Sequence, residues 1–207
     1  MYIPKAFREE NIDVLHAFIQ ENNFAMLVTM QDGVPLATHL PLILNRESGQ
    51  YGTLRGHMAR ANTQWRTFDE TKEALVIFPG PHAYISPSWY VTDPETSVPT
   101  WNYAAIHAYG IPGIVSDEEA LYTLLKDSVN TFEAGSEQPW AIQERGDFIR
   151  KKMRAIVGFE IPITRLDGKL KLSQNRSTED QERVIAMLQD SDNAVNNATA
   201  KLMKAKS

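Results

Sequence analysis

The rest of the chain is organised around residues 51–65, YGTLRGHMARANTQW, because a β-prone run there gives way to a basic, helix-compatible segment. Residues 51–54 predict a strand, and residues 59–65 predict a helix with Arg60 in its first turn. Unpaired N–H groups at a helix start favour an anion, and Arg55 and Arg60 could add charge-assisted hydrogen bonds. The stretch predicts an anion site; the alternative is a solvated surface turn with two ordinary arginines.

The residues before this stretch predict a helix followed by a β-hairpin. Apolar side chains recur at helical spacing in residues 8–22, where Asn11 can cap the helix. Residues 24–30 and 34–44 have strand character, and the Asp-Gly pair between them supplies the positive φ angles of a tight turn.

The residues after this stretch predict more strands. Residues 74–78 and 83–86 are two apolar runs separated by Pro-Gly-Pro, and residues 104–114 form a further run. Turns, with few helices, separate these runs, so about six strands favour an antiparallel barrel over a parallel βαβ sheet.

The second half of the chain has a more helical pattern. Asp117 predicts a helix cap, and Ser177 with Asp180 predicts a second one. The segments expected in this half are a helix over 117–132, a helix over 146–153, a strand over 155–165, a turn at 166–169 (LDGK), a helix over 177–189 and a final helix over 192–204. We expect one domain over residues 1–190 and a C-terminal helical tail over 191–207, polar enough to fray.

Composition limits the class of protein. The 207 residues are 43% hydrophobic and 23% charged, which is typical of a globular protein. No apolar run is long enough to cross a bilayer, and the N-terminus has no signal-peptide core, so we expect a cytoplasmic protein. The absence of cysteine excludes disulfides and thiolate sites. A net charge of −5 requires any DNA contact to come from a local basic face.

Flavin mononucleotide (FMN) needs a wall for a flat ring, hydrogen-bonding groups for the ring edge and an anchor for its phosphate. Backbone groups of residues 37–41 could serve the ring edge, Thr53 and Leu54 could face the ring, and residues 57–62 could hold the phosphate. Several nearby aromatic residues could contact the ligand, or could instead fill a barrel mouth or a dimer interface. They are Trp89, Tyr90, Trp101, Tyr103 and Tyr109.

Other kinds of site find less support. His39, His57, His82 and His107 include no i,i+4 pair with an acidic partner, so we expect structural histidines and no metal. The serine-hydrolase, dinucleotide and P-loop motifs GxSxG, GxGxxG and GxxxxGK[ST] are absent from the sequence.

A basic cluster in the predicted helix over 146–153 is a candidate for DNA contact. It consists of Arg150, Lys151 and Lys152, with Arg154 and Arg145 beside them. Such clusters bind DNA phosphates or simply form a solvated helix face. The last two predicted helices show no identifiable groove-reading residues.

Six blocks of sequence resemble the PaiB family of FMN-binding negative transcriptional regulators. They cover nearly the whole chain in order, and the similarity weakens only from about residue 191. The blocks are MYIPKAFR at 1–8, HLPLIL at 39–44, YGTLRGHMARANTQW at 51–65, ALVIFPGPHAYISPSWY at 74–90, VPTWNYAAIHAYG at 98–110 and KLSQNRSTED at 171–180.

The resemblance implies an α+β, mainly β fold, an antiparallel split β-barrel with peripheral and C-terminal helices, related to pyridoxamine-phosphate oxidase and flavin reductases. It also implies a homodimer with FMN at the subunit interface. The residues expected at the cofactor by this resemblance are Thr38, His39, Leu40, Pro41, Thr53, Leu54, Arg55, His57, Ala59, Arg60 and Asn62, with Ser88, Trp89, Trp101 and Asn102 from the partner subunit, and Gln174 and Arg176 closing the site.

The function expected from this resemblance is that of an FMN-binding transcriptional repressor, without catalytic residues and with promoter DNA as a partner. An alternative from another class is a flavin-dependent oxidoreductase or flavin reductase, because bound flavin performs redox chemistry largely by itself. A haem-binding split-barrel protein is a third interpretation.

Overall fold

The computed structural model describes residues 1–92, 96–142 and 146–206. Nine strands and five α-helices are present in these residues. The strands are β1 Arg8–Glu9, β2 Phe24–Gln31, β3 Val34–Pro41, β4 Ile43–Asn45, β5 Thr53–Ala59, β6 Ala74–Ile85, β7 Thr100–Gly110, β8 Gly113–Val115 and β9 Ile156–Lys171; the helices are α1 Ile12–Glu21, α2 Glu118–Glu133, α3 Gly146–Met153, α4 Thr178–Gln189 and α5 Ala194–Lys204. Short 3-10 helices cover Lys5–Phe7, Thr63–Thr67 and Pro87–Trp89.

The strands form a sheet with the order β3-β2-β6-β7-β9-β5-β4, and β1 and β8 also pair with β9. The pairings of β2 with β3 and β6, of β4 with β5, and of β9 with β1, β5 and β8 are all antiparallel. In the described residues this order is an open path from β3 to β4. The sheet is therefore mainly antiparallel, as the sequence predicts.

The chain divides into two compact units. Unit 1 contains Met1–Leu15, Pro79–Ile106 and Asp167–Ser207, and unit 2 contains His16–Phe78 and His107–Leu166. The core of unit 1 includes the fully buried Ile85, Ile106, Leu172, Val184 and Leu188. The core of unit 2 includes the equally buried Leu27, Leu54, Phe78, Leu124 and Phe159.

Local signals predicted the hairpin and two of the helix starts correctly. Asp32 and Gly33 have φ angles of 51° and 80° between β2 and β3, as a tight primed turn requires. The Asp117 side chain accepts a hydrogen bond from the Ala120 N–H at the start of α2, and Ser177 does the same for Asp180 at the start of α4. These features depend on neighbours in sequence, which explains why they were predictable.

The predicted break at Pro79-Gly80-Pro81 is wrong, since β6 runs through it. In unit 2, β2 pairs with β6 over residues 75–77, before the first proline. A proline costs a strand little where no neighbour needs its missing N–H.

The predicted turn at residues 166–169 is also wrong, because β9 continues to Lys171. In unit 1 the short strand β1 pairs with this segment, Glu9 opposite Gly168 and Arg8 opposite Lys169. A Cβ atom on Gly168 would lie 2.9 Å from the Glu9 carbonyl oxygen and would clash with Leu15. The glycine therefore permits close packing of β1 rather than a turn.

Candidate functional site

The turn after β5 differs from its prediction, because no α-helix begins at residue 59. The Arg60 N–H donates to the Ala155 carbonyl oxygen at 2.8 Å, and Asn62 caps the short 3-10 helix Thr63–Thr67 by accepting from the Gln64 N–H. The expected row of free helical N–H groups around Arg60 is therefore not formed. The Arg60 N–H in particular is not available to an anion.

Arg60 instead fixes the segment that connects α3 to β9. Its Nε donates to the Arg154 carbonyl oxygen at 3.0 Å, and one terminal nitrogen donates to the Ile156 carbonyl oxygen at 2.8 Å. The Trp65 indole N–H in turn donates to the Arg60 carbonyl oxygen at 3.0 Å. Arg60 keeps its charge, since carbonyl groups accept hydrogen bonds without neutralising a guanidinium.

Asn62 joins this turn to strand β3. Its side-chain nitrogen donates to the Thr38 hydroxyl at 2.8 Å, so two of the sequence-predicted cofactor residues are in direct contact. The same side chain accepts from the Gln64 N–H at 3.0 Å. Asn62 thus sets the distance between the turn and β3.

Gln64 is a second connection, which the sequence analysis missed. It is fully buried, and its side-chain nitrogen donates to the carbonyl oxygens of Leu27 and Leu36, both at 3.0 Å, and to the Thr29 hydroxyl. Its Oε1 atom has no partner among the described residues. The sequence gives no signal for this role of Gln64, because its partners lie on a distant hairpin.

Strand β3 divides its predicted residues between two faces. Leu40 is buried and Thr38 is half-buried, whereas His39 and Pro41 are exposed on the other face. The His39 ring stacks on Phe24 with centroids 6.5 Å apart. β3 lies at one end of the strand order, so in the described part of the chain its outer backbone edge has no paired strand. That edge can supply the donors and acceptors that a flavin ring needs.

The predicted residues of β5 have different surroundings. Leu54 is fully buried, and the buried Thr53 donates its hydroxyl to the Ser48 carbonyl oxygen at 3.0 Å. Arg55 bridges Glu160 at 2.8 Å and Asp127 at 2.7 Å, which ties α2 to β5 and β9. Two carboxylates balance the Arg55 charge, so this arginine is a weak candidate for a phosphate.

His57 lies on the same strand, and Ala59 is exposed at its end. Burial lowers the pKa of the His57 imidazole. The ring is therefore neutral at pH 7 and can offer one N–H donor, but no positive charge, to an anion.

A cavity of about 680 Å³ lies beside Arg60 within unit 2, and we name it the α3 cavity. Its walls come from β8, the start of α2, α3 and the start of β9, together with Arg60 and Trp65. The charged side chains on these walls are Arg60, Arg150, Lys151, Arg154, Glu118 and Asp147. Arg60 from the predicted cofactor site and most of the predicted DNA-binding cluster thus share one cavity.

The basic cluster is only partly free. Arg150 forms ion pairs with Glu118 at 3.2 Å and Glu119 at 2.8 Å, and its guanidinium lies 4.9 Å from the centre of the Tyr122 ring. Lys152 does not line the α3 cavity, and its ammonium lies 5.5 Å from the Phe148 ring. Arg145, included in the sequence-based cluster, lies outside the described residues.

Six predicted cofactor residues lie in unit 1. Ser88 and Trp89 are in the 3-10 helix Pro87–Trp89, where the Ser88 hydroxyl is 2.8 Å from that of Ser86. Trp101 is about half exposed and packs edge-on against Tyr84, with ring centroids 5.9 Å apart. Trp101 therefore presents an exposed aromatic ring in unit 1.

Asn102 has an internal role in unit 1. It is fully buried; its side-chain nitrogen donates to the Ser173 hydroxyl at 2.9 Å, and that hydroxyl donates back to the Asn102 Oδ1 at 3.2 Å. Ser173 has a φ of 66°, an unusual conformation for a serine. This pair therefore fixes the loop that follows β9.

Gln174 and Arg176 also hold this loop. The Gln174 side chain accepts from the Leu172 N–H at 2.7 Å and donates to the Leu170 carbonyl oxygen. The Arg176 guanidinium lies 4.2 Å from the Tyr90 ring centre and donates to the Ser97 hydroxyl at 3.3 Å. Both side chains have partners within unit 1.

Among the described residues, no group of three or more His, Asp or Glu side chains is placed to hold a metal ion. No helix in those residues is long and apolar enough to span a membrane.

Known proteins resemble this chain in sequence and in fold. A family model with the description "Putative FMN-binding domain" matches residues 1–165. The "Protease synthase and sporulation protein PAI 2" of Bacillus subtilis (strain 168) is 40% identical over 207 residues, covering 100% of this chain and 98% of the relative.

Two solved structures share the fold. The FAD and heme binding protein from Mycobacterium smegmatis has a TM-score of 0.61 at 14% identity, over 84% of this chain and 78% of that one. The flavocytochrome Anf3 from Azotobacter vinelandii has a TM-score of 0.60 at 15% identity, over 87% and 78%. The fold class expected from the sequence, an antiparallel split β-barrel with helices around it, is confirmed.

Proposed function

The chain belongs to the FMN-binding domain family and is a PaiB-like flavin-binding protein, and on this premise we propose that it is an FMN-dependent transcriptional repressor. The observation that carries the proposal is the 40% identity to the Bacillus subtilis protein over the full length of both chains. The name of that relative links it to protease synthesis and sporulation. A repressor acts where the DNA is, so the proposal includes the cytoplasmic location expected from the sequence.

Several features of the residues present fit FMN. The outer edge of β3 offers backbone donors and acceptors, and Thr38 is fixed in place by Asn62. Arg60 supplies a charge that no carboxylate in the described residues neutralises, and neutral His57 supplies a donor. When bound, FMN supplies a redox-active ring, and the task of these residues is to orient it and hold its phosphate.

A homodimer with FMN at the subunit interface is the second part of the proposal. Half-exposed Trp101 and Tyr84 form an aromatic surface in unit 1, and aromatic side chains of this kind are enriched at interfaces. The other cofactor residues predicted from the sequence remain part of the proposal, and of these Arg55, Asn102 and Gln174 also have internal partners. Light scattering should give the mass of two chains for the purified protein, and a single-chain mass with FMN bound would contradict the interface assignment.

The experiment that tests FMN binding is spectroscopic. We expect the purified chain to be yellow, or to become so on addition of FMN, and to retain the flavin through gel filtration. A protein that neither carries nor retains FMN would overturn the proposal.

Repression is tested separately by DNA binding. Binding to a fragment of the protein's own promoter region should weaken with salt, because cations that contact DNA release counterions. The triple variant Arg150→Gln, Lys151→Gln, Lys152→Gln should lose this binding, whereas Lys126→Gln, an exposed lysine on α2, should keep it. Rapid NAD(P)H turnover with FMN and no DNA binding would instead indicate a flavin reductase.

A further inference from the structure

The α3 cavity has the size of a small-molecule site. Its volume of about 680 Å³ falls within the range of roughly 300–1,000 Å³ that is common for ligand pockets. All of its described lining residues belong to unit 2.

The charges on its walls favour an anion. Four cationic and two acidic side chains line the cavity in the described part of the chain. One of these acids, Glu118, pairs with Arg150, which also pairs with Glu119 outside the cavity. Lys151 and Arg154 are exposed and form no ion pair with a described residue. Their charges are therefore available to a ligand.

The backbone beside these two cations is firmly held. Arg60 donates to the carbonyl oxygens of residues 154 and 156, and its N–H donates to that of residue 155. Three consecutive carbonyl groups at the α3–β9 connection are thus fixed by one residue. A fixed backbone places Arg154 at the cavity with less conformational entropy to lose on binding.

Most of the uncharged wall is apolar. Ile114, Leu121 and Met153 line the cavity together with Trp65, whose indole is held by its hydrogen bond to the Arg60 carbonyl oxygen. An anion with an organic portion fits such a surface better than a bare ion, because the apolar wall gains from burial.

We propose that the α3 cavity binds the phosphate end of a small organic phosphate, with Lys151 and Arg154 as its ligands. Where that phosphate belongs to FMN, the assignment rests on the proposed function. A separate phosphorylated metabolite has the same chemistry and would use the same two cations. DNA phosphates compete for this role, because both residues belong to the cluster that the sequence assigned to DNA.

The test compares three single variants of the full chain, Lys151→Gln, Arg154→Gln and Lys152→Gln. Lys152→Gln is the matched control, since Lys152 is exposed on the same helix as Lys151 and the variant loses the same charge, but Lys152 does not line the cavity. Each variant is titrated with FMN and with riboflavin, which lacks the phosphate. Cofactor-free protein is also melted with and without inorganic phosphate.

If the phosphate of FMN occupies the cavity, Lys151→Gln and Arg154→Gln each weaken FMN binding about tenfold, as expected for a lost charge-assisted hydrogen bond. Riboflavin binding stays the same, and Lys152→Gln binds FMN as tightly as the wild-type protein does. If a separate metabolite is the ligand, FMN binding is equal in all variants, but the thermal shift given by phosphate is lost only in Lys151→Gln and Arg154→Gln.

The proposal is overturned if neither the response to FMN nor that to phosphate separates these two variants from Lys152→Gln. Loss of promoter binding alone in the two variants would assign the cations to DNA. A wild-type protein that ignores FMN but gives a phosphate shift dependent on Lys151 and Arg154 would refute the proposed cofactor and support the cavity.

Discussion

The turn after β5 and the loop after β9 look alike in sequence but differ in what they leave free. Both follow a strand end, and both carry an arginine and an amide side chain predicted to contact a cofactor. In unit 2, Arg60 and Asn62 fix the backbone beside a cavity with free cations. In unit 1, the side chains of Asn102 and Gln174 form their hydrogen bonds with the loop and the end of β9.

The difference shows that a polar motif next to a strand end can serve the chain rather than a ligand. Ligand capacity is better judged from the charge that remains after internal partners are counted. By this measure Lys151 and Arg154, which the sequence placed in another site, are better anion ligands than Arg55, which has two carboxylate partners.

The largest effect is expected at the turn after β5. Gln64→Ala removes a buried amide and leaves the carbonyl groups of Leu27 and Leu36 without this donor. We expect the free energy of unfolding to fall by about 3 kcal/mol, measured by urea denaturation. Gln189→Ala, an exposed glutamine at the end of α4, is the matched control and should change it by less than about 0.5 kcal/mol. Equal stability of the two variants would contradict the structural role of Gln64.

A smaller effect is expected in the loop after β9. Asn102→Ala leaves the buried Ser173 hydroxyl without its partner and should cost about 2 kcal/mol of unfolding free energy. Ser88→Ala removes an exposed serine contact and should be nearly neutral. If Asn102→Ala has normal stability but binds FMN more weakly, Asn102 contacts the ligand and does not mainly stabilise the loop.

The smallest effects are pH dependences, and the two units should show them in different windows. Burial lowers the pKa of His57 in unit 2, so the unfolded chain binds the proton first as pH falls. Stability should therefore fall once the pH drops below about 6.5, and His57→Gln should remove this slope between pH 8 and 5. A slope that persists in His57→Gln must come from other groups.

Asp180 in unit 1 gives the contrasting case. Burial opposes its ionisation, but hydrogen bonds from Thr92, Val91 and Ser177 outweigh burial and lower its pKa. A lowered carboxyl pKa stabilises the fold above the unfolded value and loses that contribution as pH falls through the folded one. Asp180→Asn should accordingly flatten the stability curve only below about pH 4.

Features that depend on residues close together in the chain could be inferred from the sequence. The positive φ angles of Asp32 and Gly33 form the hairpin turn. The side chains of Asp117 and Ser177 cap their helices by accepting from an N–H three residues further on. Apolar runs separated by turns, with few helices between them, indicated the antiparallel β class, and the ordered blocks of similarity indicated the family. Steric limits and hydrogen bonds within a few residues are encoded locally, so these features follow from the sequence.

The composition of the candidate site depends on the tertiary structure. The bonds of Arg60 join residues 94 and 96 positions apart, and those of Arg55 reach Asp127 and Glu160. The distant partners of Arg60 hold it in a turn instead of the predicted helix. Pairing with β1 extends β9 through its predicted turn, and the fold brings Arg60, Lys151 and Arg154 to one cavity. A side chain bonds whatever the fold brings within about 3 Å, and that proximity cannot be read from sequence spacing.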